Sequence, residues 1–356
     1  MGEKLLRIGI TQGDTNGIAY ELILKAFEDQ RLYEFCIPVL YGSSKILAYH
    51  RKALELPSYN LNNISHAQEA GTNRLNVLNI TQEDVVVELG RQTPDSIKAS
   101  EEAFSKAWLD LKEGNIDVLI DTPAVIDPLQ KRHCELEENN GKVGSVSMLI
   151  NNSLRIGFAT DKISFSDISP LINQELLVKK IEALHYALVH DFMITSPRIA
   201  VLALNPQAGI NEQPGKEELE VIIPALKKAN DLGMFCFGPY SADTFFSTDK
   251  YLDFDACLAL YHDQGMIAFQ TLTGGEGVKY IANLPFICTA PNETVSFERA
   301  GKNISTPDAF RNALYLAVDL YQNRVTDKQI NKNPLRKQYF ERGSDNEKLD
   351  LTKEES

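Results

Sequence analysis

The 356-residue sequence lacks the features that mark membrane and secreted proteins. No apolar run approaches the roughly 18 residues of a membrane span, so we expect no membrane segment. The first residues lack the long apolar stretch of a signal peptide, which predicts a cytoplasmic protein. The five cysteines lie far apart and form no C-x-x-C motif, so we expect reduced thiols.

Positive charge is also scarce. The chain has 36 Lys and Arg residues against 49 Asp and Glu residues, which gives a formal net charge of −13. Nucleic-acid-binding proteins need clustered Lys and Arg, and anionic membrane surfaces repel acidic patches, so we expect neither partner. A small anionic substrate is still compatible with this charge, because a local pocket can be basic on an acidic protein.

Apolar strands alternate with helices along the chain. Hydrophobic residues make up 43% of the sequence, enough for real cores, and the length favours two lobes. Strands are predicted at 5–11, 38–42, 117–123, 154–159, 198–204 and 254–261, and helices at 19–27, 97–114, 173–189 and 217–232. Because the strands are apolar on both faces, we predict an α/β fold with a mostly parallel sheet. Ligands of such sheets bind beyond the carboxyl ends of the strands.

The segment Tyr261-His262-Asp263-Gln264-Gly265, which follows a buried strand, is the strongest local signal for a site. Taken alone, the segment is equally compatible with a helix-capping turn whose histidine already has a hydrogen-bond partner. Four further motifs accompany it in a fixed order: Gly13-Asp14 with Gly17, Asn205-Pro206-x-Ala208-Gly209, 237–243 and Ala300-Gly301-Lys302. The Gly13-Asp14 turn is weak as a phosphate cradle on its own, and we interpret it as structural.

Together these motifs resemble the 4-hydroxythreonine-4-phosphate dehydrogenases, NAD-dependent enzymes of pyridoxal phosphate synthesis. The resemblance covers residues 5–339. It implies a two-lobed fold of the isocitrate/isopropylmalate dehydrogenase type, a homodimer, and a site for NAD and a small phosphorylated metabolite in the interlobe cleft. We predict a discontinuous first lobe of 1–130 plus 300–340, a second lobe of 131–299, and a disordered tail over 341–356.

The resemblance also implies a divalent metal held by three histidines from two subunits, but this chain keeps one of them. The family ligand positions align with Lys162, Gln207 and His262. A charged lysine repels a metal, and a single imidazole cannot hold a divalent ion at ordinary concentrations. We therefore predict that the metal-dependent activity of the family is lost or much altered.

The substrate contacts implied by the resemblance are substituted as well. Gln270 aligns with a family lysine, Lys279 with an asparagine and Cys288 with an arginine. Losing a guanidinium discards charge-assisted hydrogen bonds worth roughly 1.5–3 kcal/mol each. Lys279 can restore part of the charge, whereas Glu293 adds an acid that would repel a phosphate.

The histidines outside these motifs give no clear second site. The best gapped alignment makes His133 the catalytic, substrate-contacting histidine of the family, and the alternative is that this motif is deleted and His133 is a surface residue. We assign surface or capping roles to the other four histidines, which are His50, His66, His185 and His190.

Two functions of different classes remain. The first is a catalytically silent paralogue, a pseudoenzyme that keeps the fold and binds a metabolite or pairs with an active relative. The second is an active dehydrogenase with a rebuilt site. A third idea is that the Lys162 ammonium replaces the missing metal charge and pairs with Glu293 or with an acid of the ligand. The simultaneous substitution of several required residues favours the first.

Overall fold

The computed structural model describes residues 5–58, 60–80, 86–127, 144–152, 154–206 and 215–332. Three predictions lie outside these described residues: the catalytic role of His133, the ligand position Gln207 and the tail over 341–356. Within the described ranges, no helix is both long enough and apolar enough to cross a membrane.

The strands of the described chain form one continuous twelve-stranded sheet. They are β1 (Leu6–Thr11), β2 (Cys36–Gly42), β3 (Leu61–Ile64), β4 (Leu75–Asn79), β5 (Val118–Ile120), β6 (Val146–Asn151), β7 (Leu154–Phe158), β8 (Arg198–Leu202), β9 (Phe235–Tyr240), β10 (Ala256–Ala259), β11 (Val278–Ala282) and β12 (Cys288–Pro291). Their order across the sheet is β3-β4-β2-β1-β5-β12-β11-β6-β7-β10-β8-β9.

Helices pack on this sheet. They are α1 (Ala19–Ala26), α2 (Leu32–Phe35), α3 (Ser44–Ala53), α4 (Pro94–Lys112), α5 (Phe165–Leu171), α6 (Gln174–His190), α7 (Ile223–Asp231), α8 (Ala242–Ser247), α9 (His262–Thr273) and α10 (Asp308–Ile330). Local sequence explains several starts: Ser43 accepts a hydrogen bond from the Ile46 amide and caps α3, and Thr93 and Ser96 form a capping box for α4.

The predicted α/β fold with a mostly parallel sheet is confirmed. Ile8 and Ile10 of β1 and Leu258 of β10 are completely buried, as expected for strands covered on both faces. The middle of the sheet differs from this pattern, because β12, β11, β6 and β7 pair antiparallel in that order. Short connections join β6 to β7 and β11 to β12, and such connections can only link antiparallel neighbours.

The two predicted lobes share the sheet without a break. β12 pairs in parallel with β5 on one side and antiparallel with β11 on the other. The long helix α10 contacts β5, β11 and β12, so it lies across the junction. The lobe boundaries at 130 and 300 therefore stay predictions.

The expected surface or capping role of His50 is wrong. Its side chain is buried, stacks on Tyr20 with ring centroids 4.9 Å apart, and places Nε2 2.8 Å from the carbonyl oxygen of Thr15. Its position one turn beyond Ile46 and Leu47 puts it on the inner face of α3. Burial lowers the pKa of His50 to about 4, so the neutral ring donates its Nε2 proton to Thr15 and fixes the 12–17 turn.

Candidate active site

A cavity of about 120 Å³ lies at the middle of the sheet. Its lining comes from residues that follow β5, from the end of β7, from the start of α9, and from β6, β11 and β12. The predicted site residues Lys162, His262 and Lys279 all line it. The cavity thus lies where an α/β sheet binds ligands, beyond the carboxyl ends of parallel strands.

His262 is the first residue of α9, directly after β10. Its Nδ1 lies 2.9 Å from Oδ1 of Asp263, and its ring stacks on Phe158 with centroids 6.1 Å apart. Its Nε2 is buried and has no hydrogen-bond partner among the described residues. A buried polar atom of this kind is costly unless something binds it, so His262 is available to a ligand.

Lys279 and Lys162 both line the cavity, where Lys279 is half-buried and Lys162 is exposed. Within the described ranges, neither side chain forms a hydrogen bond or an ion pair. Burial lowers the pKa of Lys279; Lys162 lowers it further, while Asp127, Asp121 and Glu293 oppose the shift. The two lysines are therefore close enough to interact electrostatically.

Sequence reasoning missed Asp121 and Asp127, which line the cavity after β5. Burial, followed by the charge of Asp127, raises the pKa of Asp121 to about 8, although Thr11 Oγ1 donates a hydrogen bond of 2.9 Å to it. Asp121 therefore holds a proton at neutral pH. The rule that sites lie after buried strands would have found it, because Asp121 directly follows 118–120.

Glu293 lines the cavity as an acid, but its charge is compensated. Arg299 Nη2 donates a hydrogen bond of 2.6 Å to its Oε2. The proposed pairing of Glu293 with Lys162 is therefore not the arrangement found. The other alternative, pairing of Lys162 with an acid of a ligand, stays a hypothesis.

Gln270 and Cys288 do not line the cavity. Gln270 is exposed on α9, where its Nε2 lies 3.7 Å from Sδ of Met266. Cys288 is completely buried in an apolar cluster with Leu119 and Ile281, and burial raises the pKa of its thiol well above the usual value. The structure therefore brings together three of the five described site residues, and the proposed roles of Gln270 and Cys288 stay predictions.

The described side chains do not fit the three-histidine metal centre that the resemblance implies. No group of three or more His, Cys, Asp or Glu side chains in the described part of the chain is arranged to hold a metal ion. His262 supplies one free imidazole nitrogen, and the Lys162 ammonium would repel a cation at the same cavity.

A mostly parallel α/β sheet with a cavity beyond the carboxyl ends of its strands defines a ligand-binding α/β class of protein. The family model for the pyridoxal phosphate biosynthetic protein PdxA matches residues 34–317. The chain therefore belongs to the PdxA family, as its motifs predicted.

Several known proteins are similar to the chain over nearly its whole length. A 4-hydroxythreonine-4-phosphate dehydrogenase of Bacteroides thetaiotaomicron is 43% identical, with 99% of this chain and 98% of the relative covered. One from a Sulfurihydrogenibium species is 31% identical, with 90% and 100% covered. The crystal structure of such an enzyme from Burkholderia phymatum has a TM-score of 0.68 at 28% identity, with 89% and 99% covered. A structure from Klebsiella pneumoniae, 24% identical with a TM-score of 0.74 and with 89% and 100% covered, shows the same fold.

Proposed function

We propose that this PdxA-family protein binds a small polar metabolite in its central cavity and does not perform the metal-dependent oxidation implied by its family resemblance. The observation that carries the proposal is the presence of Lys162 and His262 at one cavity. Three imidazoles would attract a divalent cation, whereas an ammonium beside one imidazole repels it. Polar ligand atoms can instead meet the two lysines and the free Nε2 of His262.

A second candidate is an active, NAD-dependent 4-hydroxythreonine-4-phosphate dehydrogenase with a rebuilt site. The 43% identity to an enzyme of that name over 99% of this chain favours it. In this candidate, the Lys162 ammonium supplies the positive charge near the substrate oxygen. Such an enzyme would not need a metal, because a cation beside a mostly apolar cavity stabilises negative charge on oxygen.

The proposal also takes three properties from the family resemblance. They are a homodimer, NAD as the cofactor if the oxidation activity is retained, and a location in the cytoplasm. Reduced thiols are compatible with that location: the four described cysteines, Cys36, Cys236, Cys257 and Cys288, are free and buried.

The deciding experiment is NAD reduction with 4-hydroxythreonine 4-phosphate, first with added Zn²⁺ or Mg²⁺ and then with a chelator. The Bacteroides thetaiotaomicron relative is the reference protein. The proposal expects no turnover from the folded protein under either condition. Turnover that survives the chelator would support the rebuilt dehydrogenase, and turnover that the chelator removes would overturn our interpretation of Lys162.

A restored variant tests the cause directly. Lys162→His combined with Gln207→His returns imidazoles to both substituted ligand positions, and we expect it to bind Zn²⁺ more tightly than the wild type. Bound metal is measured per protomer after dialysis, so this readout does not depend on activity. If the double variant binds no more Zn²⁺ than the wild type, the substitutions are not the reason for weak metal binding.

A further inference from the structure

We propose that Lys279 is a nucleophilic lysine that forms a reversible imine with a small aldehyde or ketone in the central cavity. This reaction goes beyond the proposed binding function, because it makes a covalent bond to the ligand. It depends on the cavity and not on whether metal-dependent oxidation is lost.

The environment of Lys279 differs from that of a lysine that binds an anion or pairs with an acid. It lies on β11, lines the cavity, and forms no hydrogen bond or ion pair in the described part of the chain. Burial is the largest effect and lowers the pKa of Lys279. The nearby Lys162 ammonium acts in the same direction, whereas Asp127, Asp121 and Glu293 act in the opposite one without reversing the shift. Enzymes activate lysine nucleophiles by these two means, an apolar pocket and a neighbouring cation.

The cavity also contains a carboxyl group that can donate a proton. Asp121 is buried, and its pKa of about 8 keeps it protonated at neutral pH. It interacts electrostatically with Lys279, as does the second carboxyl of Asp127. Imine formation needs a proton donor beside the amine, because the carbonyl oxygen must leave as water.

The size and lining of the cavity select the ligand. A volume of about 120 Å³ suits a ligand of a few heavy atoms. Met148, Leu149, Ile281 and Pro291 give it apolar walls, which limit the water that hydrolyses an imine. A mostly apolar lining makes it costly to desolvate a phosphate dianion here, so a small neutral carbonyl compound fits best.

The step balances without an oxidant or reductant. The neutral amine of Lys279 attacks the carbonyl carbon, a C–N bond forms, and Asp121 protonates the oxygen to give a carbinolamine. The ammonium proton of this adduct returns to the carboxylate. Asp121 then protonates the hydroxyl group, so that the C–O bond breaks and water leaves, and the iminium nitrogen gives its proton back to the carboxylate. The products are the imine and one water molecule, and hydrolysis regenerates the amine and the carbonyl compound.

Reductive trapping of the wild-type protein tests the proposal. The protein is incubated with propanal and sodium cyanoborohydride near neutral pH, and propylated lysines are located by peptide mass spectrometry. We expect Lys279 to be modified at least tenfold faster than the exposed Lys227 of α7. Equal or slower modification of Lys279 would overturn the proposal.

Three variants separate reactivity from folding. Lys279→Arg keeps a long basic side chain but cannot form the imine, so the fast modification should disappear. Lys227→Arg is the matched control and should leave it unchanged. Asp121→Asn removes the proton donor and should slow trapping at Lys279 without affecting Lys227. If Asp121→Asn reacts as fast as the wild type, Asp121 is not the donor. Trapping needs neither NAD nor a metal, so its failure is distinct from failure of the proposed function.

Discussion

At the scale of single residues, the fold changes the ionisation of Asp121. Its folded pKa is about 8, above the ordinary value of 3.8. Between these values the unfolded chain is ionised while the folded protein keeps its proton, so the free energy of unfolding falls as pH rises. Asp121→Asn cannot ionise, and its amide oxygen can still accept the hydrogen bond from Thr11. Relative to the wild type, it should gain on the order of a few kcal/mol from about pH 4 to about pH 8.

Urea unfolding across this pH range measures the difference. Asp231→Asn, at the exposed end of α7, is the control and should follow the wild-type curve at every pH. If Asp121→Asn also runs parallel to the wild type, the carboxyl of Asp121 is ionised in the folded protein. The general-acid role of Asp121 would fall with that result.

His50 gives the opposite pH dependence. Its folded pKa of about 4 lies below the ordinary value of 6.5, so stability is lost as pH falls from the higher value to the lower. His50→Gln keeps an amide donor for the Thr15 carbonyl but loses the stacking on Tyr20. We expect a cost of about 1–2 kcal/mol at neutral pH and a weaker loss in acid. Thermal unfolding at several pH values measures both, with exposed His66→Gln as the control.

Part of the site could be predicted because its residues directly follow recognisable strands in the sequence. His262 and Lys162 follow strands that are recognisable from their apolar residues, so their place at one edge of the sheet could be expected. The chemistry of Asp121 could not, because its pKa depends on burial beside β12, which lies far along the chain. The burial of Cys288 likewise depends on tertiary packing that an alignment does not contain.

At the scale of secondary-structure elements, the helix predicted over 217–232 begins differently from the expectation. Residues Glu218–Ile222 form a π-helical turn before α7 starts. The buried carboxylate of Glu218 accepts hydrogen bonds from the amides of Leu204 and Asn205 at 2.9 and 2.8 Å, and from the Asn205 side chain at 2.9 Å. π turns often serve a functional segment, and here the turn fixes the residues just before the family ligand position Gln207.

Glu218→Gln should loosen this connection. Both carboxylate oxygens of Glu218 accept hydrogen bonds, whereas a glutamine side chain has only one oxygen that can accept them. The NH2 group of the glutamine would instead face a hydrogen-bond donor. We expect a loss of about 1–3 kcal/mol and faster amide exchange at Leu204 and Asn205. Hydrogen-exchange mass spectrometry measures this change. Glu220→Gln, exposed on the same turn, should leave exchange unaltered, and equal effects of the two variants would argue against the role of Glu218.

Elements with a strong pattern were predictable, whereas those defined by distant pairing were not. β1 and β10 are apolar on both faces, so sequence alone locates them. β11 includes Lys279 and β12 begins with Cys288, and both strands form because they pair with β6 and β5 far away in sequence. The antiparallel pairing at the centre of the sheet therefore could not be predicted from the sequence.

At the scale of the whole molecule, a buried network joins helix α10 to the half of the sheet that contains β11. Arg324 Nε of α10 donates to Asp191 at 2.6 Å, just beyond the end of α6, and Tyr280 of β11 donates to the same carboxylate at 2.6 Å. Arg324 also donates to the carbonyl oxygen of Leu284 at 3.0 Å. Because Tyr280 lines the cavity beside Lys279, this network positions both α10 and the strand that forms one wall of the site.

Arg324→Met should therefore destabilise the protein more than an ordinary surface change. It leaves the buried charge of Asp191 without its cation, which costs about 3–5 kcal/mol. Adding Asp191→Asn removes that charge and should restore part of the loss, so the two changes should not be additive in urea unfolding. Arg91→Met, whose side chain is 78% exposed, is the control and should cost less than about 0.5 kcal/mol. If Arg324→Met behaves like Arg91→Met, water already compensates Asp191, and the junction between α10 and the sheet is held by apolar packing alone.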